Sequence, residues 1–261
     1  MGEPSPLACA EAMRVGEETP RPDVVAIIVA GGSGERFGDS RGKQFVDLCG
    51  LPLMSWAILA FDRAPSVARI VVVCASERTD EVATDILSPL SLRCPATIAR
   101  AGDTRQDSVM SGLAAMPAGF DLVAVHDAAR PLIDVDDIER ACATVREDVS
   151  IAGAVCAARS IDTLKLVEGD TVVATPDRSL YWAAQTPQVF RTRAVVSAYR
   201  VAAVEGYRGT DDSSLVEHCG GCVRVVETSR DNIKVTVPGD LAVAEAALER
   251  RLIGGSWGGP R

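Results

Sequence analysis

No stretch of this chain strings together the roughly 18 apolar side chains that a membrane-spanning helix needs, so a span is not expected. Basic residues are in deficit: 27 Lys and Arg face 36 Asp and Glu, a formal net charge of −9. That balance argues against a broad nucleic-acid or anionic-membrane surface, and any phosphate must be held by a local cluster. No basic stretch precedes the apolar patch Leu7–Ala10, where Glu3 and Glu11 stand instead, so no secretion signal is expected. Histidine is nearly absent, with two residues in all. This bears on Cys219-Gly-Gly-Cys222, which follows His218 and reads as half a metal site or a redox pair. A tetrahedral zinc site needs a fourth ligand, and the second histidine, His126, lies in an unrelated motif, so an inert pair is the simpler reading.

What is present is ordinary globular material, 47% hydrophobic and 24% charged, enough for one sizeable core. Most of the eight cysteines fall inside apolar segments, as buried reduced thiols in a reducing cytoplasm would. Residues 1–22 and the glycine-rich 254–261 read as tails around a domain at 23–253. Apolar runs at Val24–Ala30, Arg69–Ala75, Ala96–Arg100, Asp121–His126, Ser150–Ala157 and Cys222–Glu227 read as strands. Amphipathic stretches at Pro52–Ala64, Glu77–Leu87, Arg105–Met116, Asp134–Glu147, Thr192–Val204, Asp211–Cys219 and Pro238–Leu252 read as helices. Apolar strands that alternate with helices predict a doubly wound, mostly parallel α/β sheet of Rossmann-like type. The rhythm breaks at 158–186, where strands near 163–167 and 171–175 flank Gly169-Asp170 and suggest a projecting β-arm. An isolated hairpin is marginal in water, so a homodimer through this arm is expected.

The first strand runs into Ala30-Gly31-Gly32-Ser33-Gly34-Glu35-Arg36-Phe37-Gly38 and then Lys43. In open α/β sheets ligands bind at the carboxyl ends of strands, and glycines let successive N–H groups close on phosphate oxygens. Arg36 and Lys43 would supply the charge. Phe37 stands where a Walker loop needs its first glycine and Gln44 where it needs Ser or Thr, and Phe37 also breaks the dinucleotide fingerprint. A third kind of anion loop remains, with a plain turn as the alternative. Asp134-Val135-Asp136 imitates a metal-binding DxD motif but opens a predicted helix, where capping is the stronger reading.

Gly31–Phe37 followed by Gly42-Lys43-Gln44-Phe45 resembles the sugar-nucleotide pyrophosphorylases, whose chemistry is nucleotidyl transfer. Gly102–Val109, His126–Pro131, Asp162–Lys165, Gln185–Gln188, Thr210–Asp212 and Asn232–Thr236 narrow this. Together they resemble the 2-C-methyl-D-erythritol 4-phosphate cytidylyltransferases from about Asp23 to Arg251. The ribitol 5-phosphate cytidylyltransferases share most of these segments, and a non-catalytic nucleotide-sensing or redox domain is the alternative from another class. The family often has proline where Val29 and Gly42 stand here, and alanine where Gly31 stands.

The resemblance implies a Rossmann-like nucleotidyltransferase with CTP as co-substrate and Mg2+ or another divalent cation, and small-molecule partners rather than nucleic acid or membrane. It assigns Arg36, Lys43 and Lys234 to catalysis. Ala30, Gly31, Gly32, Ser33, Gly34 and Ala128 would line the nucleotide, with Gly102, Asp103 and Ser108 at the cytosine. Asp103 would also cap the helix that follows. Asp127, Arg130, Thr163, Arg178, Thr186 and Thr210 would hold the polyol phosphate, with Asp127 also a candidate metal ligand. If arms cross in a dimer, Thr163 and Arg178 complete the neighbouring site.

Overall fold

The computed structural model describes residues 21–32, 37 and 41–254. The anion loop's Ser33, Gly34 and Arg36 lie outside the described residues, as do residues 1–20 and 255–261 of the two tails. The strands are β1 (Val24–Val29), β2 (Asp47–Leu48), β3 (Leu51–Pro52), β4 (Val67–Cys74), β5 (Ala96–Arg100), β6 (Leu122–Asp127), β7 (Ile151–Arg159), β8 (Leu166–Glu168), β9 (Thr171–Ala174), β10 (Trp182–Arg191) and β11 (Cys222–Glu227). The longer helices are α1 (Leu53–Arg63), α2 (Arg105–Ala115), α3 (Val135–Glu147), α4 (Thr192–Glu205), α5 (Asp212–His218) and α6 (Pro238–Ile253).

Seven strands form one sheet in the order β11-β7-β10-β6-β1-β4-β5, parallel except for β10, which is antiparallel to both neighbours. β1 (VVAIIV) is apolar at every position because both its faces are covered. Val24, Ala26 and Ile28 join one core with α1, α3 and α6, while Val25 and Ile27 join a second with α2, α4 and α5. Gly112 lets α2 close on the sheet, since a Cβ there would stand 2.6 Å from Ile27 Cγ2.

The structure differs from the sequence expectation in four places. The stretch read as one helix over Glu77–Leu87 is a 3-10 turn at Ser76–Arg78, one α turn at Thr79–Glu81 and a π-helix at Val82–Leu87. The hairpin is shorter than expected, because β10 was not foreseen and takes 182–186 into the main sheet. Its sequence WAAQTPQVFR carries Pro187 and two glutamines, which argue against an interior strand; the register shift between Ala184 and Gln188 accommodates the proline, which has no N–H to give. The cap of α2 is Thr104, whose side chain accepts the Asp107 N–H, rather than Asp103. Asp134 holds the N-cap position of α3 without a capping bond and pairs with Arg251 at 3.2 Å instead.

Candidate active site

Parallel pairing brings Val29 of β1 beside Asp127 of β6, so the foot of the glycine-rich loop and the HDAARP turn share the carboxyl edge of the sheet. Lys43 and Gln44 follow on a short 3-10 turn. The buried Gln44 donates through Nε2 to the carbonyls of Ala30 (2.8 Å) and Gly32 (2.7 Å), closing the loop at its base. Its role is invisible in the sequence, where it excludes a Walker loop and stands inside the Gly42-Lys43-Gln44-Phe45 motif without an assigned part. A cleft of about 280 Å³ opens here, lined among others by Ala30, Gly31, Gly32, Gln44 and Phe45. The two glycine departures have local reasons. Gly42 has φ +90°, which a proline ring cannot adopt. A Cβ on Gly31 would come within 2.4 Å of Ala101 Cβ, so alanine would require that neighbour to shift.

Gly31 and, from a second segment, Gly102 and Ser108 are drawn into one corner. Ser108 Oγ accepts the Gly102 N–H at 3.2 Å and donates to the Thr104 carbonyl at 2.8 Å. Asp103 is exposed beside them, and Ala128 is buried with its N–H on the Val29 carbonyl at 3.0 Å.

Asp127 is the centre of charge. Lys234 Nζ donates to Oδ2 at 2.7 Å and Arg105 Nε to Oδ1 at 3.0 Å. Burial alone would raise the carboxyl pKa, but the Arg105 and Lys234 charges outweigh it and hold Asp127 well below the usual carboxylate range. Arg105 also grips the fully buried Asp212 through two nitrogens, at 3.1 and 2.8 Å, and Tyr199 donates its hydroxyl to the same carboxylate. Arg105, Asp212 and Tyr199 were not singled out from sequence. Arg105 and Asp212 do lie inside the quoted Gly102–Val109 and Thr210–Asp212 segments, whereas nothing in the sequence marks Tyr199.

Arg130 lies on the same turn and donates through Nη1 to the Asn232 carbonyl at 2.7 Å, while its buried Nε has no partner among the described residues. Asn232 is itself held by Gln185 Oε1 and the Thr186 carbonyl, both at 2.9 Å, and this places Lys234 two residues on. Lys43 Nζ reaches the Val235 carbonyl at 2.9 Å, so both lysines are anchored on one segment. Thr210 is exposed just ahead of the Asp211 capping box of α5.

Thr163 and Arg178 are not brought into this group. Both are exposed near the hairpin, Arg178 donating to the Ile161 carbonyl at 2.6 Å, and no described hydrogen bond or ion pair joins either to Asp127, Arg130 or Lys234. Cys219 and Cys222 are exposed free thiols, and His218 is turned away to stack on Tyr207 and bond Glu205.

The family model for 2-C-methyl-D-erythritol 4-phosphate cytidylyltransferase matches residues 24–250. The chain is 38% identical to the cytidylyltransferase of that name from Geobacter metallireducens over 232 residues, covering 88% of this chain and 99% of that protein. It is 40% identical to the one from Geobacillus kaustophilus over 227 residues, 87% and 97% of the two chains. Among solved structures it is similar to the 4-diphosphocytidyl-2C-methyl-D-erythritol synthase of Anaerococcus prevotii, with TM-score 0.77, 27% identity and coverage of 87% and 96%. The Francisella tularensis cytidylyltransferase superposes with TM-score 0.72 at 28% identity, over 86% of this chain and 99% of that one. The chain belongs to the 2-C-methyl-D-erythritol 4-phosphate cytidylyltransferase family.

Proposed function

We propose that the protein transfers the cytidylyl group of CTP to 2-C-methyl-D-erythritol 4-phosphate, giving 4-diphosphocytidyl-2-C-methyl-D-erythritol and pyrophosphate in the non-mevalonate route to isoprenoids. The observation that carries this reading is the placement of Asp127, gripped by Lys234 and Arg105, beside the Gln44-pinned foot of the glycine-rich loop. An acceptor phosphate oxygen attacks the α-phosphorus of CTP. A new P–O bond forms, and the bond from that phosphorus to the bridging oxygen breaks as pyrophosphate leaves. A phosphate monoester is already nucleophilic, so the protein's part is positioning and charge neutralisation.

Arg36, Lys43 and Lys234 neutralise the phosphoryl oxygens, and the two anchored amines need little rearrangement to do so. Ala30, Gly31, Gly32, Ser33, Gly34 and Ala128 line the nucleotide, with the corner of Gly102, Asp103 and Ser108 for cytosine. Arg130, whose buried Nε is unpartnered among the described residues, suits the acceptor phosphate. Asp127, Thr186 and Thr210 stand on the acceptor side. The residues fit a magnesium ion poorly at Asp127, because both oxygens already accept from cations, so a metal there would have to displace Lys234 or Arg105. A divalent cation brought in with the triphosphate would supply charge screening there without needing Asp127.

Thr163 and Arg178 join the site across a homodimer built on the hairpin, a reading supported by their standing apart from it within one chain. Buried thiols at Cys74, Cys94, Cys142 and Cys156 suit a reducing cytoplasm, and no described helix is long and apolar enough to cross a membrane. Lys43→Ala and Arg36→Ala are expected to abolish pyrophosphate release at saturating substrate while thermal unfolding stays at the wild-type temperature. Near-normal turnover in either would contradict the assignment.

A further inference from the structure

His126 is fully buried, its ring tilted against Phe61 with centroids 5.0 Å apart. Nε2 lies 3.0 Å from the Arg130 carbonyl oxygen, which can only accept, so Nε2 carries hydrogen. A fully buried imidazole whose described partners are a carbonyl and a hydroxyl, with no carboxylate bonded to it, is neutral and has no second hydrogen, which leaves Nδ1 as an acceptor. Nδ1 stands 3.0 Å from Thr186 Oγ1, so the threonine hydroxyl donates to it. The same oxygen accepts the Asp127 N–H at 3.0 Å. Between these ends the Arg130 N–H donates to the Asp127 carbonyl at 2.9 Å and closes the turn. One imidazole thus ties both ends of the Asp127–Arg130 turn to β10.

We propose that His126 is a positioning residue for the acceptor substrate: it fixes the spacing of Asp127 and Arg130, and Thr186 works through it rather than by donating to the substrate. Thr186 is 4% exposed and its only hydroxyl hydrogen is committed to the ring, which suits a fastener better than a ligand contact. This deepens the acceptor assignment proposed above and rests on it. None of these bonds involves the corner of Gly31, Gly102 and Ser108, and Ala128, the one turn residue assigned to the nucleotide, is held separately by the Val29 carbonyl, so the effect falls on the acceptor.

The test is steady-state turnover of the full chain carrying His126→Gln, Thr186→Val, both together, or Thr186→Ser. Glutamine puts an amide nitrogen where Nε2 stands, keeping the bond to Arg130 while removing the acceptor for Thr186. His126→Gln is expected to raise the KM for the polyol phosphate about tenfold, the loss of one buried hydrogen bond, and Thr186→Val, which also strands the Asp127 N–H, at least as much, with the KM for CTP changed less than about twofold in both. The double variant is expected to be no worse than Thr186→Val, because that substitution already breaks the link that His126→Gln removes. Thr186→Ser restores the acceptor KM. Additive losses in the double variant, or an equal loss for CTP, overturn the proposal. A second readout does not depend on which acceptor is used or on the variants folding: long-range 1H–15N spectra of the two imidazoles in the wild-type chain at neutral pH. A neutral Nε2–H tautomer for His126 is expected, and a charged ring or an Nδ1–H tautomer overturns the fastening.

Discussion

A histidine kept neutral by burial ties folding to pH. An imidazole titrates near 6.5 in an unfolded chain but at about 4 in His126 here, so between those values the unfolded state binds the extra proton. Stability is therefore expected to fall as pH drops through 6.5 towards 4, with a slope approaching about 1.4 kcal/mol per pH unit, and to be unaffected by this group above that window. Carboxylates with lowered pKa, such as Asp127 and Asp240, add their own losses only at lower pH, as they protonate. Urea midpoints measured from pH 7 to 4.5 check this, and His126→Gln should flatten the profile between those limits; an unchanged slope in the variant would remove His126 as its source. At this scale the sequence was partly legible. Lys43, Lys234, Asp127 and Arg130 stand out as charges inside compact motifs. Gln44, Asn232 and the His126–Thr186 link do not, because their roles depend on which carbonyl or ring lies opposite, and that is set by tertiary contacts 14 to 60 residues away in sequence.

Arg105 shows how elements are bound to one another. It starts α2, yet its guanidinium spans Asp127 at the end of β6 and Asp212 at the start of α5. Asp212 is fully buried, so losing its cation strands an uncompensated charge. Arg105→Met is expected to destabilise the fold by roughly 3–5 kcal/mol, and adding Asp212→Leu should recover much of that loss. Denaturant unfolding of the single and double variants measures both quantities; a single variant within about 0.5 kcal/mol of wild type would show that Arg105 is not the link, since changes of that size are typical of uninvolved surface sites. Elements with a clean apolar signal were readable: β1, β5 and β11 lie within a residue of where the pattern puts them, as does α2. β10 was hidden because its middle must serve the site. Gln185, Thr186 and Gln188 are polar because they bond Asn232, His126 and Asp211, and Pro187 interrupts the ladder, so the run lacks the apolar alternation by which strands are recognised.

At the scale of the whole molecule, the β8–β9 hairpin presents Leu166, Val167, Val172 and Val173, each roughly half exposed on a structure that two strands alone cannot stabilise. Covering those side chains in a homodimer would bring Thr163 and Arg178 to a second site. Val172→Asp is therefore expected to shift the sedimenting species from dimer to monomer and to lower turnover with it. A monomeric wild type, or a fully active monomeric variant, would separate the hairpin from catalysis. The central claim concerns the reaction itself. It is tested most directly by pyrophosphate release with CTP or UTP as donor and 2-C-methyl-D-erythritol 4-phosphate or ribitol 5-phosphate as acceptor. Rapid release with CTP and methylerythritol phosphate, and little with the other three pairs, is the predicted result; preference for ribitol phosphate, or no release from any pair, would contradict it.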